Sequence, residues 1–494
     1  MHLPDPDKAN YTKFEEIVNS RISEEDYDFD YVFFPTTLTL PRFKSIETPV
    51  DFSNATFHRG LIALDIKFQT FCSFRDAIFW GEAEFSGSKF NEFYFYGTEF
   101  KALADFSRTR FKSFAHFWRI VFHNGADFSG ARFYKDAHFD DIQAINPDPL
   151  KFSLHPFSNP NLDFSQAVFR KRFSLSHSHV HGAHFFFTKF HQEAGFSCTE
   201  IRGKWAFPQA DFAGVADFTA IEVVEGSELI FKSAIFRDYL IFDNSDFFQF
   251  HSFEKSVVDL SDAVLEKPER SKFHAVVLQP HWFLGVDCRK VVFNSIHWFG
   301  CNGGAKAVQA ELDAIDPILG PSRLIVTYRQ LAENYETTRR FEMASRFRRA
   351  GFETQRLNRK RLFNEWWSEE YKCSEIFKDF GVKIRELPFD LAHFLYRFSS
   401  YYGEHSSRAA FILLLIIGTF GIFYSTSFAQ FLADKPIDLS LVEGFSYSVR
   451  VMLLQRLDPL PASDFTKLMV AVESILAPTQ IALLALALRR KFMT

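Results

Sequence analysis

The sequence predicts a mainly β chain: a stack of coils built from very short strands, then a helical connector, then two membrane-spanning helices. Three observations predict it. The chain holds 65 phenylalanines among 494 residues, and long series of them recur in alternating steps of 5 and 6. The periodicity turns helical after Gly303. Two apolar runs near the C-terminus, Ala409 to Ala433 and Lys467 to Leu488, are each long enough to cross a hydrocarbon core of about 30 Å.

Residues 1–47 read as an N-terminal cap. Thr12 and Glu15 have capping-box spacing, with Phe14, Ile17 and Val18 on one face behind them, and SEEDYDFDY ends the helix. The terminal unit of a repeat array needs a different outer face, which is the job expected of this segment. It lacks the basic start and apolar core of a signal peptide, so none is expected. Cys72, Cys198, Cys288, Cys301 and Cys373 are scattered without disulfide or zinc spacing, which fits a reducing compartment. A net charge of −5 does not point to a polyanionic partner, and no nucleic acid is expected.

Residues 48–302 carry the ladder. Phe52, Phe57, Ala63, Phe68, Phe74, Phe79, Phe85 and Phe90 alternate in steps of 5 and 6; after a slip through Phe95 and Phe100 the rhythm resumes from Phe106 to Phe139, and returns from Phe185 to Phe218. At 100° per residue such steps throw successive rings to different sides of a helix, and a step of 5 reverses the face of a plain strand. Asp, Ser, Gly, Ala and Thr between the rings favour turns. Short strands joined by tight corners, each sending one Phe inward, satisfy both facts, with backbone ladders between coils. The Pro-rich segment Ile145 to Leu162 reads as an inserted loop, and VVEGSE and EKPERS as shorter breaks. His177, His179, His181 and His184 are read as repeat-face histidines or, alternatively, as a metal site.

The residues of this ladder resemble a known family. ADFSRTRF, ADFSGARF and QADFAGVADF look like pentapeptide repeats. The resemblance implies a right-handed, four-sided β-helix. The 5/6 alternation departs from the family's unit and implies a longer coil, of 22 residues. The polar sides are expected to serve a protein partner that the sequence does not name.

Residues 303–402 read as a helical connector, with Leu324, Tyr328, Leu331 and Tyr335 along one face. Arg323 to Arg361 holds 11 basic and 4 acidic residues. That stretch is either a solvated face or a contact for anionic headgroups or for the ladder's acids. Trp366, Trp367, Tyr396, Tyr401 and Tyr402 suit a helix at a membrane interface. YRQLAENYETTRRFEMASRFRRAGFE, SSYYGEHSSRAAF and ESILAPTQIALLALALRRKF resemble, in that order, bacterial pentapeptide repeat proteins that end in a two-helix ion-channel module.

The resemblance implies that residues 403–494 form that module. Arg397 and Arg408 precede the first run, and Arg489, Arg490 and Lys491 follow the second. The positive-inside rule then predicts a multi-pass protein of the inner membrane with both termini cytoplasmic. Leu439 to Leu454, between the runs, is short for a span and suits a re-entrant helix. A span, a short helix, a turn and a span is the layout of a two-helix cation-channel subunit, four of which line one pore; a plain membrane anchor has the same outline.

No enzyme signature occurs, and no cofactor is expected. The candidate site is the pore region. Gln455, Arg456 and Leu457 stand where a potassium filter carries its Gly-Tyr-Gly centre, before an Asp-x-x-Pro-like end at Asp458 and Pro461. Glu473, Ala477 and Gln480 form a helical stripe that either lines a pore or glues helices together. Pro478 is a candidate hinge, and Gly418 and Gly421 allow close helix contact. The expectation is a membrane-embedded, homotetrameric pore with the β-helix as sensing or docking domain. The alternatives are a non-conducting anchored scaffold, and an effector that depolarises the membrane.

Overall fold

The computed structural model describes residues 11–145, 161–244, 256–298, 304–368, 396–399, 406–426, 428–432 and 439–492. The chain divides into two compact units, one of residues 1–301 and 310–334, the other of residues 302–309 and 335–494. Most of the Pro-rich segment, as well as Tyr401 and Tyr402, lies outside the described residues, as do the side chains of Thr12, Trp366 and Trp367.

The first unit is a parallel β-solenoid of about 11 turns. Each coil has four sides, most of them strands of only two residues. In one coil the sides are Val121–Phe122, Ala126–Asp127, Arg132–Phe133 and Ala137–His138, called here the first to fourth sides. Every side pairs in parallel with the same side of the next coil. Phe122 lies over Phe100, Asp127 over Asp105, Phe133 over Phe111 and His138 over His116.

Two kinds of corner explain the 5/6 rhythm. After Phe128 the chain makes a tight turn in which the Ala131 N–H donates to the Phe128 carbonyl at 3.0 Å and Gly130 sits at φ 66°. This is a type II turn, which needs a left-handed residue at its third position. Such residues recur along the ladder at Asn54, Asp65, Asp76 and Gly87, then at Arg108, Arg119, Gly130 and Asp141. The tight corner takes a Phe to the next Phe in 5 residues, and the wider corner that follows takes 6. The step from Phe90 to Phe95 is a wide corner that has lost one residue. There Lys89–Tyr94 runs on as one strand, bulged against Lys67–Ser73. His179–His184 does the same against Glu200–Ala206.

Inside, the rings stack coil upon coil. Phe106, Phe128 and Phe164 follow one another at 5.0 Å and 5.0 Å, nearly parallel. That spacing matches the rise between hydrogen-bonded strands, about 4.8 Å. The Asp of each ADFS unit has a local task. Its carboxylate accepts the N–H two residues on, as in Asp105 with Ser107 at 2.7 Å and Asp127 with Ser129 at 2.7 Å.

Both open ends are covered. At one end α1 (Tyr11–Ser23) buries Phe14, Val18 and Ile22, with Phe14 edge-on to Phe34. Glu15 accepts a bond from Thr36 at 3.0 Å. At the other end α2 (Ala305–Asp313) carries Glu311, which accepts the His281 N–H at 2.9 Å. Beside it α3 (Gly320–Thr337) turns Asn334 onto the carbonyls of Cys288, Arg289 and Val291 at 2.8, 3.1 and 2.8 Å. Carbonyls that would have met another coil are thereby satisfied.

In the second unit, α4 (Phe341–Ser368) buries Ala344, Phe347 and Ala350. Part of its basic charge is paired. Arg346 meets Glu342 at 2.6 Å, and the buried Glu353 holds Arg356 at 2.7 Å and Arg397 at 2.9 Å. Then come α5 (Ser406–Tyr424), α6 (Leu441–Met452) and α7 (Asp464–Phe492). Two of them, α5 and α7, are long and apolar enough to cross a membrane.

Hydropathy predicts one helix over the whole first apolar run, but the helix ends at Tyr424. There Ser425 and Thr426 turn their hydroxyls back onto the Ile422 and Phe423 carbonyls. Phe431–Leu432 then pairs antiparallel with Leu460–Pro461.

Candidate functional site: the C-terminal three-helix unit

Helix α6 is short because both of its ends are chemically terminated. Ser440 and Glu443 form a reciprocal capping box at its start. At its end Leu454 takes φ 53°, and the Gln455 N–H returns to the Arg450 carbonyl at 2.9 Å. A left-handed leucine costs about 1–2 kcal/mol, so this corner is strained. One face of α6 is buried through Gly444, Tyr447, Ser448 and Val451.

Glycines set the approach of α5 and α6. A Cβ on Gly421 would lie 2.7 Å from the Phe445 ring, and one on Gly444 would lie 2.4 Å from the Gly421 carbonyl oxygen. Gly418 has more room, 4.0 Å to the same ring. Gly444 was not legible as a contact point, because a single glycine in a short apolar segment has no partner until the helices are placed.

Glu473 lies on α7 with none of its surface exposed. Tyr424 on α5 donates to one of its oxygens at 2.7 Å, and Ser448 on α6 donates to the other. One side chain therefore ties together all three helices. The stripe continues inward: Ala477 is fully buried, and the Gln480 amide donates to the Ala409 carbonyl at 2.9 Å and to the Ser399 carbonyl at 3.3 Å. Within one chain the stripe packs between helices, bonded through Glu473 and Gln480. Pro478 sits inside α7, between Ala477 and Gln480.

The turn residues go elsewhere. Gln455, Arg456 and Asp458 are all exposed. The Arg450 guanidinium donates to the Asp458 carbonyl at 3.4 Å, closing the turn beneath them. The structure thus separates the sequence-predicted residues into a buried seam on α7 and an exposed turn after α6. Around them α5, α6 and α7 present outward Phe411, Leu414, Val442, Leu468 and Ile475.

The histidine run in the solenoid is dispersed. His179 bonds Glu200, while His184 is buried and stacked on Phe186. Among the described residues no three His, Cys, Asp or Glu side chains converge as a metal site.

The chain is a Phe-ladder β-solenoid with two candidate membrane spans. No family model matches it, and no curated protein matches it. Among solved structures it is similar to QnrB1, a plasmid-mediated fluoroquinolone resistance protein. The likeness covers 49% of this chain and 90% of that chain, at 13% identity and a TM-score of 0.17.

Proposed function

We propose that the protein is a membrane-embedded β-solenoid whose C-terminal helices assemble, four chains together, into an ion-channel-like pore of the inner membrane. In this reading α6 is re-entrant, the turn from Leu453 to Asp458 borders the ion path, and the solenoid is the cytoplasmic sensing or docking domain. The observation that carries it is the Glu473 junction. A short, doubly terminated helix is held between two spans by one buried carboxyl group, and an exposed turn follows it. A helix that only anchors a chain needs no such third element. Arg456 beside the path disfavours a potassium-selective carbonyl filter.

The test is current across a planar bilayer containing the purified full chain, in asymmetric KCl and then NaCl. Discrete steps whose reversal potential shifts in Arg456→Ala support the pore. Silence from folded, oligomeric protein removes it and leaves an anchored scaffold. One observation favours that second reading: Glu473 and Gln480 both find partners within their own chain.

A further inference from the structure

Winding the chain sorts its charges by side. On the third side Lys67, Lys89, Arg110 and Arg132 stand in register on successive coils. Val168 interrupts the column, and Lys189 resumes it. Beside it the ammonium of Lys112 lies 3.6 Å from the Tyr134 ring centre, and the Arg170 guanidinium lies 4.6 Å from the same centre. Among the described residues these cations have no carboxylate partner.

The second side, one tight corner away, carries the opposite column. Glu84, Asp105, Asp127 and Asp163 are in register on four successive coils. Burial, with Asp163 and Asp105 on either side, holds the Asp127 carboxyl above the usual carboxylate range even though Ser129 bonds it. Arg108, at the corner between the columns, directs its guanidinium to the Ser86 hydroxyl at 3.3 Å. Like charges stacked in a sheet repel, so each column is stabilised by an opposite charge from outside.

We propose that these two sides are one self-complementary interface: the acidic second side of one solenoid docks on the basic third side of the next copy. Adjacent sides of a four-sided coil face directions about 90° apart, so each such contact turns the next copy by about 90° and the ring closes at four. The levels agree as well. Glu84 and Lys89 belong to one coil, as do Asp105 and Arg110, and Asp127 and Arg132. A pure rotation about an axis parallel to the solenoid therefore sets each acid opposite a base of its neighbour, with no shift along the axis. An anionic lipid surface would neutralise only the basic side and leave the acidic column as it is. The inference does not depend on conduction.

The test uses the full chain in detergent, weighed by native mass spectrometry at low and high salt. Glu84→Lys and Lys89→Glu are the variants, singly and combined. Neither side chain holds a structural bond among the described residues. The wild type is expected as a four-copy assembly that loosens with salt. Each single reversal is expected to weaken assembly ~10-fold or more, and the combined swap to restore it, which also excludes misfolding as the cause. A monomeric wild type, or single variants that assemble like the wild type, overturns the proposal. So does a Lys89→Glu variant that only loses binding to phosphatidylglycerol vesicles.

Discussion

The Tyr424 hydroxyl donates a 2.7 Å hydrogen bond to Glu473, joining α5 to α7 at a point where neither residue meets solvent. Removing one partner of a buried polar pair leaves the other unsatisfied, at about 1–3 kcal/mol. Glu473→Ala strands both Tyr424 and Ser448 and is expected to destabilise the helical unit more than Tyr424→Phe, which leaves Ser448 in place. Glu473→Gln keeps an oxygen for one donor and is expected to fall between the wild type and Glu473→Ala. Thermal unfolding of the detergent-solubilised variants gives the order; a Glu473→Ala protein as stable as the wild type would refute the junction.

Leu454 ends α6 at φ 53° with its side chain exposed. Glycine adopts that backbone without the Cβ clash. Leu454→Gly is therefore expected to stabilise the unit by about 1 kcal/mol, read as a raised melting temperature. An unchanged or lowered value would mean that the leucine makes a compensating contact.

Asp140 links coils on either side of the Pro-rich segment. It accepts from the Ser174 hydroxyl at 2.5 Å and the Ser176 N–H at 2.9 Å, and His138 lies 3.4 Å away. Burial alone would raise its carboxyl, but the bonds from His138, Ser174 and Ser176 bring it below the usual range. A depressed carboxyl contributes its full stability above the unfolded value and loses it as pH falls through the folded one. Asp140→Ala is expected to cost about 1.5–3 kcal/mol at pH 7. The gap to the wild type is expected to close below about pH 4, in urea titrations at the two pH values. A pH-independent gap would assign the loss to packing.

Phe128 is fully buried between Phe106 and Phe164. Phe128→Ala opens a cavity in the ring column and is expected to cost about 3–5 kcal/mol. Phe114 is exposed on the outside, and its alanine variant is expected to change stability by less than about 0.5 kcal/mol. Equal losses in chemical denaturation would count against the inward column.

The ladder was legible in the sequence because each ring is both buried and periodic. Even the slip at Phe90–Phe95 marks a place where a corner shortens, as a corner does again between Val180 and Phe185. The left-handed corner residues were harder to see, since Asn54, Arg108 and Cys198 share a conformation and no side-chain chemistry. The charged columns were invisible for a different reason. Asp127 and Arg132 are five residues apart in a stretch of mixed sign, and only the corner between them sends one to each side. In the C-terminal helical unit, helical spacing gave the azimuth of Glu473 but not its neighbours. Tyr424 and Ser448 lie 49 and 25 residues away, and nothing local names them.

The capped ends have a further consequence. The solenoid interior repeats without marking any coil as first or last, while α1 and α3 each fit only an open edge. Its length is therefore quantised. Removing or adding a whole coil moves a cap by one step and leaves every inner column in line, whereas a change of a few residues must be absorbed at a corner or bulge out as a loop. Selection on reach acts on such a protein in units of coils.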